Sequence, residues 1–346
     1  MDNYIQIENR KIGDNYPPLI IAEIGINHGG SLELAFKMAE AAIESGAEVI
    51  KHQTHIPIDE MSHHAKEIIP PHTKDSIYSI IENCSLSEEE EFRLFDFIKS
   101  KNKIVMSTPF SRAAVDRLVK YGVSAFKIGS GECNNYPLIE YISKFAKPII
   151  LSTGMNSIDT ILPSVDIIRK NNISFALLHC CNIYPTPYEE VRLDCITLLK
   201  KTFPDAVVGL SDHTVSNFTS FGAIALGASI IERHFTDSMN REGPDIVCSM
   251  NPDTLKELID GSIAIYKSRG IDKNIVEKEK GVFNFANSSV VSIKDIKKGD
   301  TFTIDNLWLK RPGNGEFHSK DFNNLLGKKS KIFIKKDSQI KSNDFN

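Results

Sequence analysis

Eight short apolar runs, each closing on a side chain able to do chemistry, constrain this chain more than any other feature. They end at Glu23, Lys51, Thr108, Lys127, Ser152, Asn182, His213 and His234. β-Branched residues dominate the runs and turn formers bound them, as expected of strands buried on both faces of a parallel sheet. Most strand starts lie about 21–31 residues apart, which leaves room for a helix between neighbours. Eight right-handed strand–helix units of this kind predict an α/β fold, a (β/α)8 TIM barrel with its active site at the C-terminal strand ends.

Local signals agree. The first strand is read from Leu19 to His28, Gly29 and Gly30 turn the chain, Ser31 caps a helix and Gly46 stops it. The second strand starts at Ala47 but the third only at Lys103. The intervening loop, with H-H-A-K and I-I-P-P-H-T, is expected to be a substrate lid. The last barrel helix is expected from Asn251, and K-N-I-V-E-K-E-K-G reads as linker. From Ser289 short alternating segments with Gly-Asp and Pro-Gly turns predict a small β-rich domain. The expected division is therefore 1–268 for the barrel, 269–288 for the linker and 289–346 for the small domain. The last segment carries 12 Lys/Arg against 7 Asp/Glu, leaving 29 against 38 for the rest. Opposite signs are consistent with docking on an acidic barrel, one of a neighbouring subunit included, and equally with a Lys-rich solvated surface.

A net charge of −4 gives no sign of nucleic-acid or membrane binding. No basic and apolar leader opens the chain, no run approaches the roughly 18 residues that span a bilayer, and the six scattered cysteines form no C-x-x-C pair. A cytoplasmic protein with reduced thiols is the expectation.

His213 and His234 would end adjacent strands. Two imidazoles with few carboxylates suit Mn²⁺, Fe²⁺, Co²⁺ or Zn²⁺, with Asp212 or Glu232 as an outer partner. His52, His55, His63 and His64 form a rival cluster on a loop. Buried strands rarely end in Lys, so Lys51 and Lys127 imply an anionic guest, with Thr108, Ser130, Ser152, Asn182 and Ser211 as further donors; a phosphate-bearing di- or trianion fits. The alternative is a structural network of both lysines with Glu23 and Glu132. These carboxylates are the candidates for acid/base work, and Asp245 for holding a polyol. Cys180 and Cys181 read as packing residues.

The motifs themselves carry a resemblance. I-A-E-I-G-I-N-H-G-G-S, I-K-H-Q-T-H, S-T-P-F-S-R-A-A, K-I-G-S-G-E-C-N-N-Y-P-L, N-I-Y-P-T-P-Y, G-L-S-D-H-T, E-R-H-F-T-D, G-P-D-I-V-C-S-M and W-L-K-R-P-G-N-G resemble the N-acetylneuraminate (sialic acid) synthase family, from about residue 15 to the end. The resemblance implies a barrel followed by a C-terminal antifreeze-like (SAF) domain, and a domain-swapped homodimer. It implies condensation of phosphoenolpyruvate with N-acetylmannosamine and water, by C–O cleavage, to N-acetylneuraminate and phosphate, in sialic acid synthesis for surface glycans such as capsule or lipooligosaccharide. His213 and His234 would hold Mn²⁺, with Mg²⁺ or Co²⁺ as substitutes. Lys51, Thr108, Lys127, Ser130, Ser152, Asn182 and Ser211 would hold phosphoenolpyruvate. Gln53, Glu132, Tyr184 and Asp245 would hold the open-chain sugar, and Arg311 would reach its N-acetyl group from the other subunit. Glu23 would stabilise oxocarbenium character at C2, and Glu132 would steady the aldehyde. F-A-N-S-S-V-V departs from the family's F-A-S-V-V-like join.

Two rival functions remain. One is a legionaminate or related nonulosonate synthase, with the same chemistry on a deoxy-diacetamido sugar. The other is a catalytically inactive sugar- or ice-binding protein, which the two histidines and two lysines argue against.

Overall fold

The computed structural model describes residues 3–69, 75–270 and 272–346. The chain divides into two compact units, Met1–Arg269 and Gly270–Asn346.

The first unit opens with an antiparallel hairpin, β1 (Tyr4–Ile7) and β2 (Arg10–Gly13). Eight strands follow: β3 (Leu19–Gly25), β4 (Val49–Thr54), β5 (Ile104–Pro109), β6 (Phe126–Ile128), β7 (Ile149–Ser152), β8 (Phe175–Cys180), β9 (Val207–Asp212) and β10 (Ile230–His234). All are parallel, in the order β5-β4-β3-β10-β9-β8-β7-β6. β5 and β6 lie side by side and close the barrel without a ladder among the described residues. The expected TIM barrel is what the chain forms.

Strand alternation sorts the side chains. Ile20, Ala22 and Ile24 of β3, with Ile50, Val105, Leu177, Val208 and Ile231, face the surrounding helices in the outer core. Leu19, Ile21, Val49, Ile104, Met106, Ile150, Ala176, Leu178, Val207 and Ile230 fill the barrel interior. Ile5, Ile7 and Ile12 of the hairpin join that inner cluster and plug its N-terminal end. Each such Val, Leu, Ile or Met side chain contributes about 1.5–3 kcal/mol on burial. The inward positions that come next along the strands are polar. They make the floor of the mouth.

Ser31 caps the helix Leu32–Glu44, its hydroxyl accepting from the Leu34 N–H, and Gly46 follows at φ +102°, a left-handed turn that glycine adopts without strain. Asn251 likewise caps Pro252–Ser268. Three expectations need correction. The first strand stops at Gly25, and Ile26–Gly30 form turns closed by backbone bonds such as Asn27 N–H to Ile24. The stretch read as linker carries a 3-10 turn, Glu277–Glu279, and the start of a helix, Lys280–Ala286. The long second loop is largely helical where described (Pro57–Glu60, His63–Lys66, Ile77–Cys84). Residues 70–74 of the proposed lid, with most of I-I-P-P-H-T, lie outside the described residues.

The second unit pairs β11 (Ser289–Ser292) with β12 (Leu307–Lys310) antiparallel, and isolated antiparallel bridges such as Val291–Gln339 and Ile296–Ile334 extend it, as expected of a small β-rich domain. Val290, Ile296, Phe302, Leu307, Leu325, Ile334 and Ile340 form its own core. Among the described residues no helix is long and apolar enough to cross a membrane.

Candidate functional site

The polar inward positions converge on a cavity of about 130 Å³ at the C-terminal mouth of the barrel. It is lined by Glu23 of β3, Lys51 and Gln53 of β4, Thr108 of β5, Lys127 of β6, Ser152 of β7, and Glu232 and His234 of β10. Ser130, Asn182, Tyr184, Ser211 and His213 complete the wall. Of the site residues that the resemblance implies, all but Glu132, Asp245 and Arg311 line this cavity.

A buried ion network forms the floor. Lys51 pairs with Glu23, to which its strand register holds it adjacent, and its ammonium lies 3.1 Å from Thr108 Oγ1 and 3.5 Å from Glu232 Oε1. Lys127 donates to Ser152 Oγ (2.7 Å) and the Ile128 carbonyl (3.0 Å), and lies 3.6 Å from Glu232 Oε1. Ser211 donates to the same carboxylate at 3.4 Å. The lysines' partners are thus Glu23 and Glu232; in the alternative structural network weighed from the sequence, Glu232 takes the place given to Glu132. Glu232 shares the inward parity of His234, and that parity was the overlooked signal.

Burial alone would push the Glu23 carboxyl up, but the charges of Lys51 and then His234 outweigh it and hold it at about 2. Burial likewise opposes the Lys51 charge, and Glu23 and Glu232 reverse the balance and raise its pKa. For Lys127 burial wins, aided by the Lys51 charge against Glu232, and its pKa is lowered. The site therefore holds a firmly ionised carboxylate beside one tightly paired and one loosely paired ammonium.

Above the floor stand the two histidines, ring centroids 5.4 Å apart. His213 Nδ1 donates to the Cys181 carbonyl at 2.9 Å, which leaves Nε2 with a free lone pair. Tyr184 stacks on that ring at 4.1 Å. His234 Nδ1 is buried without a hydrogen bond, 3.6 Å from Asp245 Oδ2. Two imidazoles, one with an orphaned nitrogen, fit a divalent cation with open positions. Among the described residues no group of three or more His, Cys, Asp or Glu is assembled to hold a metal, so any ion here rests on this pair. Asp212 is not an outer partner. It faces away from the cavity, accepting from Thr219 Oγ1, Ser220 Oγ and the Thr214 N–H.

On the β6–β7 side the wall is tightly fitted. Ser130 Oγ accepts from the Gly154 N–H at 3.0 Å. A Cβ at Gly154 would lie 1.8 Å from Asn182 Oδ1 and 2.9 Å from Ser130 Oγ, so a larger residue there would displace both side chains from the wall. Cys180 also lines the cavity, 3.9 Å from His213 Nδ1.

Glu132 lines a neighbouring depression with Glu60 and Asn135, and Phe110 lines both that depression and the cavity. Burial raises its pKa, Glu60 adds to this, and the Asn135 amide, donating at 2.5 Å, opposes it. Arg311 lies in the second unit, in an exposed turn after β12. The rival histidine cluster does not assemble. His52 faces outward and bonds Glu91 (3.0 Å) and His28 (3.2 Å), His55 stacks on Phe110 and bonds Glu60, and His63 and His64 are exposed.

Residues 38–274 match the NeuB family, and residues 287–346 match the SAF domain. The chain belongs to the NeuB family. An N,N'-diacetyllegionaminic acid synthase from Campylobacter jejuni is 38% identical over 332 residues, covering 93% of this chain and 98% of that protein. Human N-acetylneuraminate-9-phosphate synthase is 31% identical over 337 residues, covering 96% and 93%. Among solved structures, the N-acetylneuraminic acid (sialic acid) synthetase of Leptospira borgpetersenii in complex with citrate superposes with a TM-score of 0.75. It is 30% identical, over 82% of this chain and 95% of that one. The NeuB barrel and SAF unit thus agree with the resemblance carried by the motifs.

Proposed function

We propose that this NeuB chain is an N-acetylneuraminate synthase, condensing phosphoenolpyruvate with N-acetylmannosamine and water to give N-acetylneuraminate and phosphate. The observation that carries the reading is one buried mouth holding Lys51, Lys127, Glu23 and Glu232 beneath His213 and His234. Four alternating fixed charges cancel, so a phosphorylated carboxylate entering here must draw the ammonium groups towards itself. Lys127, whose charge burial disfavours, gains most from such an anion. Ser152, Ser211, Thr108, Ser130 and Asn182 supply neutral polar contacts around it.

His213 and His234 would hold the divalent cation, Mn²⁺ in this reading, which supplies Lewis-acid polarisation of an aldehyde oxygen when bound. Glu23, ionised at any working pH, offers a fixed negative charge where C2 of phosphoenolpyruvate becomes cationic as its C3 forms the new bond. Water added at C2 gives a phosphate hemiketal, which collapses with C–O cleavage. Gln53, Tyr184 and Asp245 would orient the open-chain sugar. Glu132, with its raised pKa, is suited to holding a proton for the aldehyde oxygen as it becomes a hydroxyl.

A second reading, synthesis of a legionaminate from a deoxy-diacetamido sugar, is favoured by the higher identity to the Campylobacter protein. Phosphate release from phosphoenolpyruvate with Mn²⁺ and each sugar decides. N-acetylmannosamine is expected to support turnover; release only with the diacetamido sugar selects the second reading, and release with neither leaves a binding protein.

The proposal includes a homodimer, in the cytoplasm, in which Arg311 of one chain serves the other's sugar site. The turn after β12 holds its backbone: Ser289 Oγ donates to the Pro312 carbonyl (2.7 Å) and accepts from the Gly315 N–H (2.8 Å). Arg311→Ala should lower kcat/KM for the sugar by roughly 10- to 100-fold, the worth of a charged hydrogen bond, with phosphoenolpyruvate binding intact. Mixing Arg311→Ala with Glu23→Ala subunits should restore part of the activity. If exchanged mixtures stay as inactive as both parents, Arg311 does not act across the dimer.

A further inference from the structure

The residue beside His234 is an arginine that never touches the cavity. Arg233 belongs to the outer face of β10, between apolar neighbours such as Ile231 and Phe235, and is 2% exposed. Taking a guanidinium out of water there is expensive, and burial accordingly lowers its pKa. What it receives in return lies on one turn. One terminal nitrogen donates to the Thr214 carbonyl and the other to Asn217 Oδ1, both at 2.5 Å, while Nε is buried and unpartnered.

Thr214 directly follows His213. Its N–H is held in turn by Asp212 Oδ1 at 2.9 Å. Asp212 and Arg233 are register partners on adjacent strands, so their charges sit together on the outer face. The peptide groups on the C-terminal side of His213 are thus gripped at both the N–H and the C=O by side chains from β9 and β10. The ring of His213 is anchored separately, through Nδ1, to the Cys181 carbonyl after β8. Asn217 passes the clamp onward, its amide donating to Glu257 Oε2 (2.8 Å) and the Thr254 carbonyl (2.9 Å) on the last barrel helix.

We propose that Arg233, braced by Asp212, is a positioning residue that fixes the separation of His213 and His234 and thereby sets the affinity of the site for a divalent cation. The inference rests on the two-histidine reading above. A planar fork is needed, because two acceptors in different directions must be met from one rigid group; a lysine ammonium is a point charge and holds one of them at a time. Groups that orient metal ligands in this way typically change metal affinity about 10- to 100-fold when removed.

The test is Mn²⁺ binding to the full-length, metal-stripped protein, followed by calorimetry and by the electron paramagnetic resonance signal of free Mn²⁺. Arg233→Lys keeps the charge and stem and should fold; it is expected to bind Mn²⁺ roughly tenfold more weakly, and Arg233→Met more weakly still. Turnover of Arg233→Lys should recover as Mn²⁺ is raised, with KM for phosphoenolpyruvate unchanged, a pattern that general loss of stability would not give. Wild-type Mn²⁺ affinity in Arg233→Lys that melts as a folded protein overturns the clamp alone. No Mn²⁺ binding by the wild type, or undiminished binding by His213→Ala, overturns the two-histidine site and the clamp with it.

Discussion

Replacing Glu23 by glutamine is expected to lower kcat by roughly 100- to 1,000-fold and to flatten the acid limb of the protein's stability. The substitution keeps the shape but not the pattern of donors. One oxygen of Glu23 accepts from Gln53 Nε2 at 2.7 Å and the other meets the Lys51 ammonium. Both partners are donors, so the new NH2 faces a donor whichever way the amide turns. Lys51 is left buried with Glu232, at 3.5 Å, as its one remaining carboxylate partner among the described residues. Breaking a buried pair typically costs about 3–5 kcal/mol. The sign of the pH effect follows from the folded-state pKa, which drops from 4.5 to about 2. A depressed carboxylate stabilises above its unfolded pKa, and the contribution is lost as pH falls from about 4.5 towards 2. Its size is on the order of 3 kcal/mol. Thermal melts across that window should fall steeply in the wild type and less so in Glu23→Gln. Parallel curves would show that Glu23 is not held ionised by this network.

The barrel was legible because its strands announce themselves twice, as β-branched runs and as runs closing on functional groups. What a strand end contributes inward depends on parity, however, and run boundaries do not give parity. Counting in twos from His234 selects Glu232, and counting back from His213 selects Ser211 and rejects Asp212. That rule would have found the second carboxylate under the lysines and corrected the expected role of Asp212. Arg233 was beyond such reasoning, since an outward position of a parallel strand is expected to be apolar. The His28–His52–Glu91 chain was equally hidden. Glu91 sits on the helix Glu88–Ser100, far along the chain, and only packing brings its carboxylate to His52. Glu132 lies four residues past the end of β6, and the Ser130–Glu132 turn carries it into the neighbouring depression rather than beneath the lysines. The helix Lys280–Ala286 was obscured by the Lys/Glu-rich stretch that leads into it, whose charge pattern shows no apolar stripe.

Stripping the divalent ion is expected to reduce turnover by roughly a thousandfold or more, the equivalent of about 4 kcal/mol of charge stabilisation. Readdition of Mn²⁺ should restore it. His213→Ala and His234→Ala should each lose the ion, because the pair has no third His, Cys, Asp or Glu assembled beside it among the described residues. The two losses should differ in their side effects. His213→Ala also removes the stacking surface of Tyr184 and one of two donors to the Cys181 carbonyl, Thr186 Oγ1 remaining at 3.2 Å, so it should melt about 1 kcal/mol less stably. His234 has no hydrogen bond at Nδ1 to forfeit, and its replacement should cost less on that account. Phosphoenolpyruvate should still bind the stripped protein, measured by calorimetry, since Lys51 and Lys127 are held by carboxylates and hydroxyls rather than by the imidazoles. Loss of kcat with retained phosphoenolpyruvate affinity would separate the ion's role from that of the lysine floor. Full turnover in a metal-free preparation would sink the assignment, and Lys51, Lys127 and Glu23 would then have to carry the reaction without the histidines.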